Sequence, residues 1–292
     1  MFLLTRTPPP YWRTLLDLGR VSNLPTVWSN CLAGWLLGGA GSGWRFMALC
    51  LGATCLYVGG MFLNDAFDLE FDREFRRERP IPSGRITLDE VWRWGFGWLG
   101  AGTVILVLLG QTTGALTAIL LLCIVLYDAI HKHVGLSPLL MATCRFFLYL
   151  VAASAAGRGV TGLAVWSAFA LAAYVVGLSY LARQESTRGA LNSWPCSLLV
   201  APIVLALLVN VNEYRHPALL LCAMLGLWIV RCVRHAFLVS EPNIGRAVGG
   251  LLAGIVLVDL LAVAGGGSVW TSCAFVALFV GALLCQRIVP AT

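Results

Sequence analysis

The stretch Asn64-Asp65-Ala66-Phe67-Asp68-Leu69-Glu70-Phe71-Asp72 closes an apolar run that covers residues 44–66. On a continuing helix, its three aspartates, Asp65, Asp68 and Asp72, lie near one face and about one turn apart. Acidic side chains at the end of a membrane-length apolar run repel one another and lose solvation. Because a hard divalent cation relieves both costs, the pattern indicates Mg²⁺ held against a diphosphate.

A structural interpretation of the same stretch is the alternative. The aspartates would then form a solvated helix end, with Arg73, Arg76 and Arg77 as their ion-pair partners. In the metal interpretation, the amide of Asn64 contacts a phosphate oxygen or fixes an aspartate. Four polar residues at this depth are more than a helix end requires, which favours the metal interpretation.

The composition of the whole chain indicates a membrane protein. Of its 292 residues, 59% are hydrophobic and 12% are charged, and the mean hydropathy is +0.83. Ten apolar runs predict an all-α polytopic bundle of nine or ten transmembrane helices, folded as a single domain over residues 1–292. Two polar loops four spans apart, 67–87 and 184–193, suggest two four-helix halves. The runs cover residues 21–40, 44–66, 88–110, 112–130, 137–157, 162–183, 194–211, 216–238, 244–264 and 268–288.

The net charge of +6 does not indicate nucleic-acid binding, because the basic residues follow a membrane topology. One set of alternate loops carries most of the arginines and the only lysine, Lys132, whereas the opposite set carries only Arg45, Arg158 and Arg215. The positive-inside rule therefore predicts a multi-pass protein of the cell's inner or plasma membrane, with its N-terminus and acidic stretch in the cytoplasm.

A rigid turn follows the acidic stretch, in the segment Arg79-Pro80-Ile81-Pro82-Ser83-Gly84-Arg85. Two prolines and a glycine break the helix there. Arg79 and Arg85 are suited to bind phosphate oxygens in pairs. A basic cytoplasmic loop that only obeys the topology rule has the same composition, so the loop alone leaves both interpretations open.

Together, the acidic stretch and the Arg79–Gly84 turn resemble the signature of the UbiA superfamily of intramembrane prenyltransferases. The resemblance implies an all-helical fold of about nine spans in the lipid bilayer. It implies an isoprenyl diphosphate bound through Mg²⁺ on two acidic motifs, and a hydrophobic acceptor, often aromatic, that receives the prenyl group. Asp65, Asp68 and Asp72 are then the predicted metal ligands, and Asp65, Asp68 and Lys132 the predicted catalytic residues.

Further substrate-binding residues are predicted with less direct support. By likeness to the family's first and fourth spans, Asn23 and Lys132 contact the diphosphate; a helix cap and a topology charge are the alternatives. Arg145 interrupts the apolar run 139–150. Such a charge either faces a polar cavity or snorkels to the interface.

The family's second acidic motif is reduced in this chain. The segment after the sixth span, residues 180–189, has one acid, Glu185, between Arg183 and Arg188. All three are predicted substrate-binding residues, and the positive side chains of Arg183 and Arg188 are predicted to hold the diphosphate directly, in place of one Mg²⁺; the alternative is a weakened or inactive site. Together with His131-Lys132 and the segment 141–145, this pattern is similar to the EboC branch of the superfamily.

The predicted function is Mg²⁺-dependent transfer of a prenyl group from an isoprenyl diphosphate to an aromatic or lipid-like acceptor within the membrane. A transporter or lipid-handling protein on the same scaffold is the main alternative, and a non-catalytic membrane subunit is another. A transporter favours broken helices and polar groups near mid-membrane. Here the polar residues crowd the cytoplasmic end, which favours the enzyme.

Overall fold

A computed structural model describes residues 10–132, 134–184, 192–210, 214–238, 243–266 and 268–289, and every regular element in these ranges is helical. The predicted all-α fold is therefore confirmed. The helices are α1 (Tyr11–Leu18), a 3₁₀ turn (Val21–Asn23), α2 (Leu24–Leu37), α3 (Gly43–Phe67), α4 (Leu69–Phe75), α5 (Leu88–Val107), α6 (Gln111–Ile130), α7 (Ser137–Ser154), α8 (Gly162–Arg183), α9 (Pro195–Leu198), α10 (Ala201–Val209), α11 (Arg215–Phe237), α12 (Ile244–Ala262) and α13 (Val269–Ile288).

All ten apolar runs contain helix. Seven of the described helices, α3, α6, α7, α8, α11, α12 and α13, are long and apolar enough to cross a membrane, as expected of an integral multi-pass protein. The other runs give α2, with 14 residues, α5, which begins with Asp89 and Glu90, and the short pair α9 and α10. Pro195 and Pro202 lie in the first turns of that pair, where proline is tolerated but cannot continue a preceding helix. The division into two halves and the single-domain boundaries stay predictions.

The acidic stretch is not one continuing helix, and that prediction was wrong. α3 ends at Phe67 and α4 begins at Leu69, with Asp68 capping both helices. The weak helix propensity of aspartate permits this break. The Asp68 amide still donates to the Asn64 carbonyl at 3.0 Å, and the Asp72 amide donates to the Asp68 carbonyl at 2.8 Å. The one-turn spacing of the acids thus survives the bend.

Close packing of α2 on α7 depends on glycine. A Cβ atom added to Gly34 would lie 2.6 Å from the Tyr149 carbonyl oxygen and 2.8 Å from the Ala152 Cβ. Small residues permit this approach in membranes, where apolar attraction between helices is weak. The contact fixes the position of α2, which carries Asn30, relative to α7, which carries Arg145.

Gly34→Val is expected to destabilise the protein by about 1–3 kcal/mol, because the new side chain forces two backbones apart. Thermal unfolding of the detergent-solubilised protein measures the effect. Gly97→Val on α5 is the matched control, since a Cβ there meets no atom of a described residue within 4 Å. Equal losses of unfolding temperature in both variants would contradict the close-packing account.

Candidate functional site

A cavity of about 750 Å³ opens at the end of the bundle where α3 meets α4. Its volume is typical of a small-molecule site. Basic side chains outnumber acidic ones on its lining, so the cavity favours an anionic ligand. The basic residues are Arg13, Arg20, Arg76, Arg79, Arg85, Lys132, Arg145 and Arg183, and the acidic ones are Asp17, Asp68 and Glu78.

Asp65 lies beneath two of these arginines. Arg20 Nη2 donates to Asp65 Oδ1 at 2.9 Å and to Asn64 Oδ1 at 3.2 Å. Arg79 Nη1 lies 3.7 Å from the same Asp65 oxygen. Burial opposes the charge on Arg20, but the Asp65 carboxylate outweighs it and raises the pKa of the guanidinium. The two arginines therefore line the cavity with positive charge, and the buried Asp65 carboxylate partly neutralises that charge from the protein side.

Asp68 reaches the cavity and is held by the segment that follows α6. His131 Nε2 lies 3.2 Å from Asp68 Oδ1, and Lys132 Nζ lies 3.0 Å from Oδ2. Lys132 Nζ also lies 3.8 Å from the ring centroid of Phe71, at cation–π distance. Burial raises the pKa of Asp68, but the hydrogen bond from His131 and the charges of His131 and Lys132 outweigh it and lower the pKa. The carboxylate is thus ionised at neutral pH.

Two further buried acids, Asp72 and Asp128, lie near Asp65 and Asp68. Both side chains are 3% exposed. Asn64 Nδ2 donates to Asp128 Oδ1 at 3.3 Å, so Asn64 joins α3 to α6. Burial raises the pKa of Asp72, and although the charge of Arg79 opposes this, the charges of Asp65 and Asp68 add to the rise. A cation would relieve this crowding of like charges.

The aspartates suit Mg²⁺ by residue type and by their open oxygens. Asp65 Oδ2 and Asp72 Oδ1 are buried, and no described residue forms a hydrogen bond with either oxygen. No three His, Cys, Asp or Glu side chains within the described ranges converge as a preformed metal cluster. Mg²⁺ commonly takes only one or two carboxylates and completes its shell with phosphate oxygens and water. The residues therefore fit a metal that arrives with a diphosphate.

Arg145 lies on the cavity lining, within α7. Its Nη1 donates to Asn30 Oδ1 at 2.8 Å and to the Thr26 carbonyl at 3.3 Å, and its Nη2 donates to Thr26 Oγ1 at 3.0 Å. The guanidinium is thus fixed to α2 within the bundle. Of the two placements considered from the sequence, a polar cavity or the membrane interface, Arg145 has the first.

The remaining predicted residues are divided between the cavity and other contacts. Asn23 lines the cavity from the end of the 3₁₀ turn. Arg183 also lines it, but its Nη1 donates to the Gly135 carbonyl at 2.7 Å and so ties α8 to the loop before α7. Glu185 and Arg188 lie outside the described residues.

Three residues that contact the acidic stretch were not among the predicted site residues: Arg20, Asp128 and His131. Asp128 has a sequence signal, because it is an acid inside the apolar run 112–130. His131 has a weaker one, since it is adjacent to Lys132. Arg20 meets Asp65 across 45 residues of sequence, a contact that no local spacing indicates.

Comparisons with known proteins agree with this architecture. Residues 23–235 match the profile of the UbiA prenyltransferase family. Digeranylgeranylglyceryl phosphate synthase of Ignicoccus hospitalis is 32% identical over 124 residues, which are 42% of this chain and 41% of that protein. The synthase of Methanothrix thermoacetophila is 34% identical over 118 residues, 40% of this chain and 44% of that protein. The alignments thus span about two fifths of the length of these relatives.

Two solved structures share the fold over nearly the whole chain. A UbiA homolog from Aeropyrum pernix K1 has a TM-score of 0.65 at 16% identity, covering 87% of this chain and 98% of that one. A structure described as digeranylgeranylglyceryl phosphate synthase in membranes has a TM-score of 0.61 at 19% identity, covering 94% and 99%. At these identities the likeness shows the fold alone.

Proposed function

The chain belongs to the UbiA prenyltransferase family, and we propose that it transfers a prenyl group from an isoprenyl diphosphate to a lipid-like acceptor in the membrane. One observation carries this proposal. The cavity has basic side chains and the acidic stretch at its mouth, and apolar side chains of α8 and α12 line its wall deeper in the bundle. That arrangement matches a substrate with an anionic head and a hydrocarbon tail.

Binding of the diphosphate exchanges one set of charge pairs for another. Asp65, Asp68 and Asp72 would hold Mg²⁺, which when bound neutralises charge on the leaving diphosphate. Arg20 and Lys132 now contact Asp65 and Asp68 at 2.9 and 3.0 Å. When the diphosphate binds, these two cations would contact its phosphate oxygens. Charge-assisted hydrogen bonds from preorganised cations then favour departure of the diphosphate.

The apolar part of the cavity suits the prenyl group. Val175 and Leu178 from α8 and Leu252 and Ile255 from α12 line it. Heterolysis of the allylic C–O bond sends the bonding electron pair to the diphosphate and leaves an allylic cation beside these walls, which exclude water. The acceptor's nucleophilic atom then bonds to the cation, and its proton passes to an oxygen of the released diphosphate.

The acceptor is proposed to be a prenylated glyceryl phosphate, by likeness to the named relatives. Such a lipid carries a hydroxyl nucleophile, an anionic phosphate and an apolar tail. The excess of basic side chains on the lining supports an anionic acceptor. The sequence also allowed an aromatic acceptor, so an aromatic compound is the alternative acceptor to test against the lipid.

Orientation in the membrane follows from the same charges. We propose that the N-terminus and the cavity mouth are cytoplasmic, because the basic residues around the cavity, except Arg145, lie at one end of the bundle. The contacts of Arg183 support a role in fixing the loop beside Lys132. Direct diphosphate binding by Glu185 and Arg188 stays a prediction, as does the EboC-like placement.

The purified protein in lipid nanodiscs, with Mg²⁺ and labelled geranylgeranyl diphosphate, tests the proposal. Geranylgeranylglyceryl phosphate and 4-hydroxybenzoate serve as alternative acceptors, and product and released diphosphate are measured together. We expect a labelled ether lipid with the first acceptor. Binding of the prenyl diphosphate without release of diphosphate would instead support the lipid-handling alternative. Product only with the aromatic acid would overturn the proposed acceptor class.

A further inference from the structure

A fully buried acid lies just beyond the inner end of the cavity. On α12 the cavity is lined by Val248, Leu252 and Ile255, and Asp259 follows one turn later on the same helical face. Its side chain is 0% exposed. A second cavity, of about 510 Å³, opens at the opposite end of the bundle and is lined on α12 from Val258 onward. Asp259 therefore belongs to a polar layer between two cavities.

This layer connects Asp259 to Arg145 through a single amide. Ser29 Oγ and Asn30 Nδ2 both donate to Asp259 Oδ2, at 2.6 and 2.7 Å. The carbonyl oxygen of the same Asn30 side chain accepts from Arg145 Nη1 at 2.8 Å. Because the amide nitrogen is committed to the carboxylate, the amide oxygen must point toward the guanidinium. Asp259 thus determines that the oxygen of the Asn30 amide, and not its nitrogen, faces Arg145.

In this arrangement the guanidinium of Arg145 is hydrogen-bonded but its positive charge is not paired with a carboxylate. Its hydrogen bonds go to neutral oxygens of Thr26 and Asn30. None of the ion pairs between described residues includes Arg145. A carboxylate in direct contact would neutralise and occupy the guanidinium. With one amide between them, Asp259 still offsets the cost of burying the cation, while the guanidinium faces the cavity.

A merely structural tie between α2, α7 and α12 explains the layer less well. Buried charges lose solvation, and neutral or apolar groups in their place are often equally stable. Moreover, Asp259 Oδ1 is buried and has no hydrogen-bond partner among the residues that the structure describes, so the carboxylate is incompletely satisfied where it lies. A role in positioning the Arg145 guanidinium therefore explains the layer better than a role in joining α2, α7 and α12.

We propose that Asp259 and Asn30 are positioning residues that hold Arg145 as an open cation at the inner end of the cavity, where it binds an anionic group of a substrate. The inference rests on the proposed function. The anionic group belongs either to the donor, as diphosphate, or to the acceptor, as phosphate or carboxylate. Kinetics with each substrate varied separately distinguish these two sources.

Asp259→Asn keeps the shape of the side chain and removes its charge. We expect the KM of one substrate, donor or acceptor, to rise about tenfold, as for loss of a charged hydrogen-bonding arrangement. The value of kcat should change by less than about threefold, because Asp259 does not touch the reacting atoms. The substrate whose KM rises identifies the anion that Arg145 binds.

The double variant Asn30→Asp with Asp259→Asn moves the carboxylate beside Arg145 and keeps the total charge. Its unfolding temperature should stay close to that of the wild type, since the buried cation now has a direct partner. We nevertheless expect the same KM to rise about tenfold or more, because the new ion pair occupies the guanidinium. A purely structural layer predicts wild-type kinetics for this stable variant.

The outcomes separate this inference from the proposed function. An inactive wild type overturns the proposed function and this inference with it. An active wild type whose KM values are unchanged in the double variant overturns the inference alone. If Asp259→Asn does not fold, the double variant decides by itself, and its failure to fold would mean that the layer serves stability rather than Arg145.

Discussion

Asp68→Asn is expected to lower kcat/KM for prenyl transfer by at least about 100-fold, as for loss of a group that stabilises developing charge. The substitution removes a proposed metal ligand and leaves Lys132 and His131, now 3.0 and 3.2 Å from the carboxylate, without their anionic partner. Product formation by the purified variant measures the loss. Its unfolding temperature shows whether the fold persists.

Asp89→Asn is the matched control for this substitution. Asp89 is an exposed acid in the first turn of α5, outside the cavity lining. A surface change of this kind should alter activity by no more than about twofold. If Asp68→Asn keeps activity similar to this control, the acidic stretch is structural and the metal interpretation fails.

Removal of divalent cations is expected to reduce prenyl transfer to background, and added Mg²⁺ should restore it. Asp65 Oδ2 and Asp72 Oδ1 have no hydrogen-bond partner within the described ranges, and the two acids lie close to Asp68. Without a metal, these buried negative charges repel the diphosphate. A chelator titration followed by Mg²⁺ addition, with diphosphate release as the readout, measures the dependence.

Ca²⁺ provides the control for metal specificity. It prefers more ligands at longer distances than Mg²⁺ and so supports a different geometry. We expect Ca²⁺ to restore less activity than Mg²⁺. Full activity in excess chelator would contradict the metal proposal, and would mean that arginine and lysine side chains neutralise the diphosphate alone.

Much of the fold is predictable from the sequence, because a bilayer requires long apolar helices. All ten apolar runs contain helix, and the resemblance to the UbiA superfamily is confirmed by the family match. The break at Asp68 was not predicted. A three-and-four spacing fits a bent helix as well as a straight one, since the hydrogen bonds from Asp68 and Asp72 persist through the bend.

The site was only partly predictable, because its contacts join distant segments. The acidic stretch was located from its spacing and from its position at the end of a run. Its partners Arg20 and His131 come from before α2 and after α6, so the sequence does not show which cations meet which acids. Asp259 had a signal, as an acid within an apolar run, but the meaning of that signal depends on Asn30 and Arg145.

Equilibrium binding of an unreactive prenyl thiolodiphosphate is the measurement that tests the central claim most directly. The claim is that the cavity beside the acidic stretch binds a prenyl diphosphate with Mg²⁺. Titration calorimetry in nanodiscs should show binding to the wild type that needs Mg²⁺ and weakens at least about tenfold in Asp68→Asn. No binding to the wild type, or equal binding to both proteins, would contradict the claim.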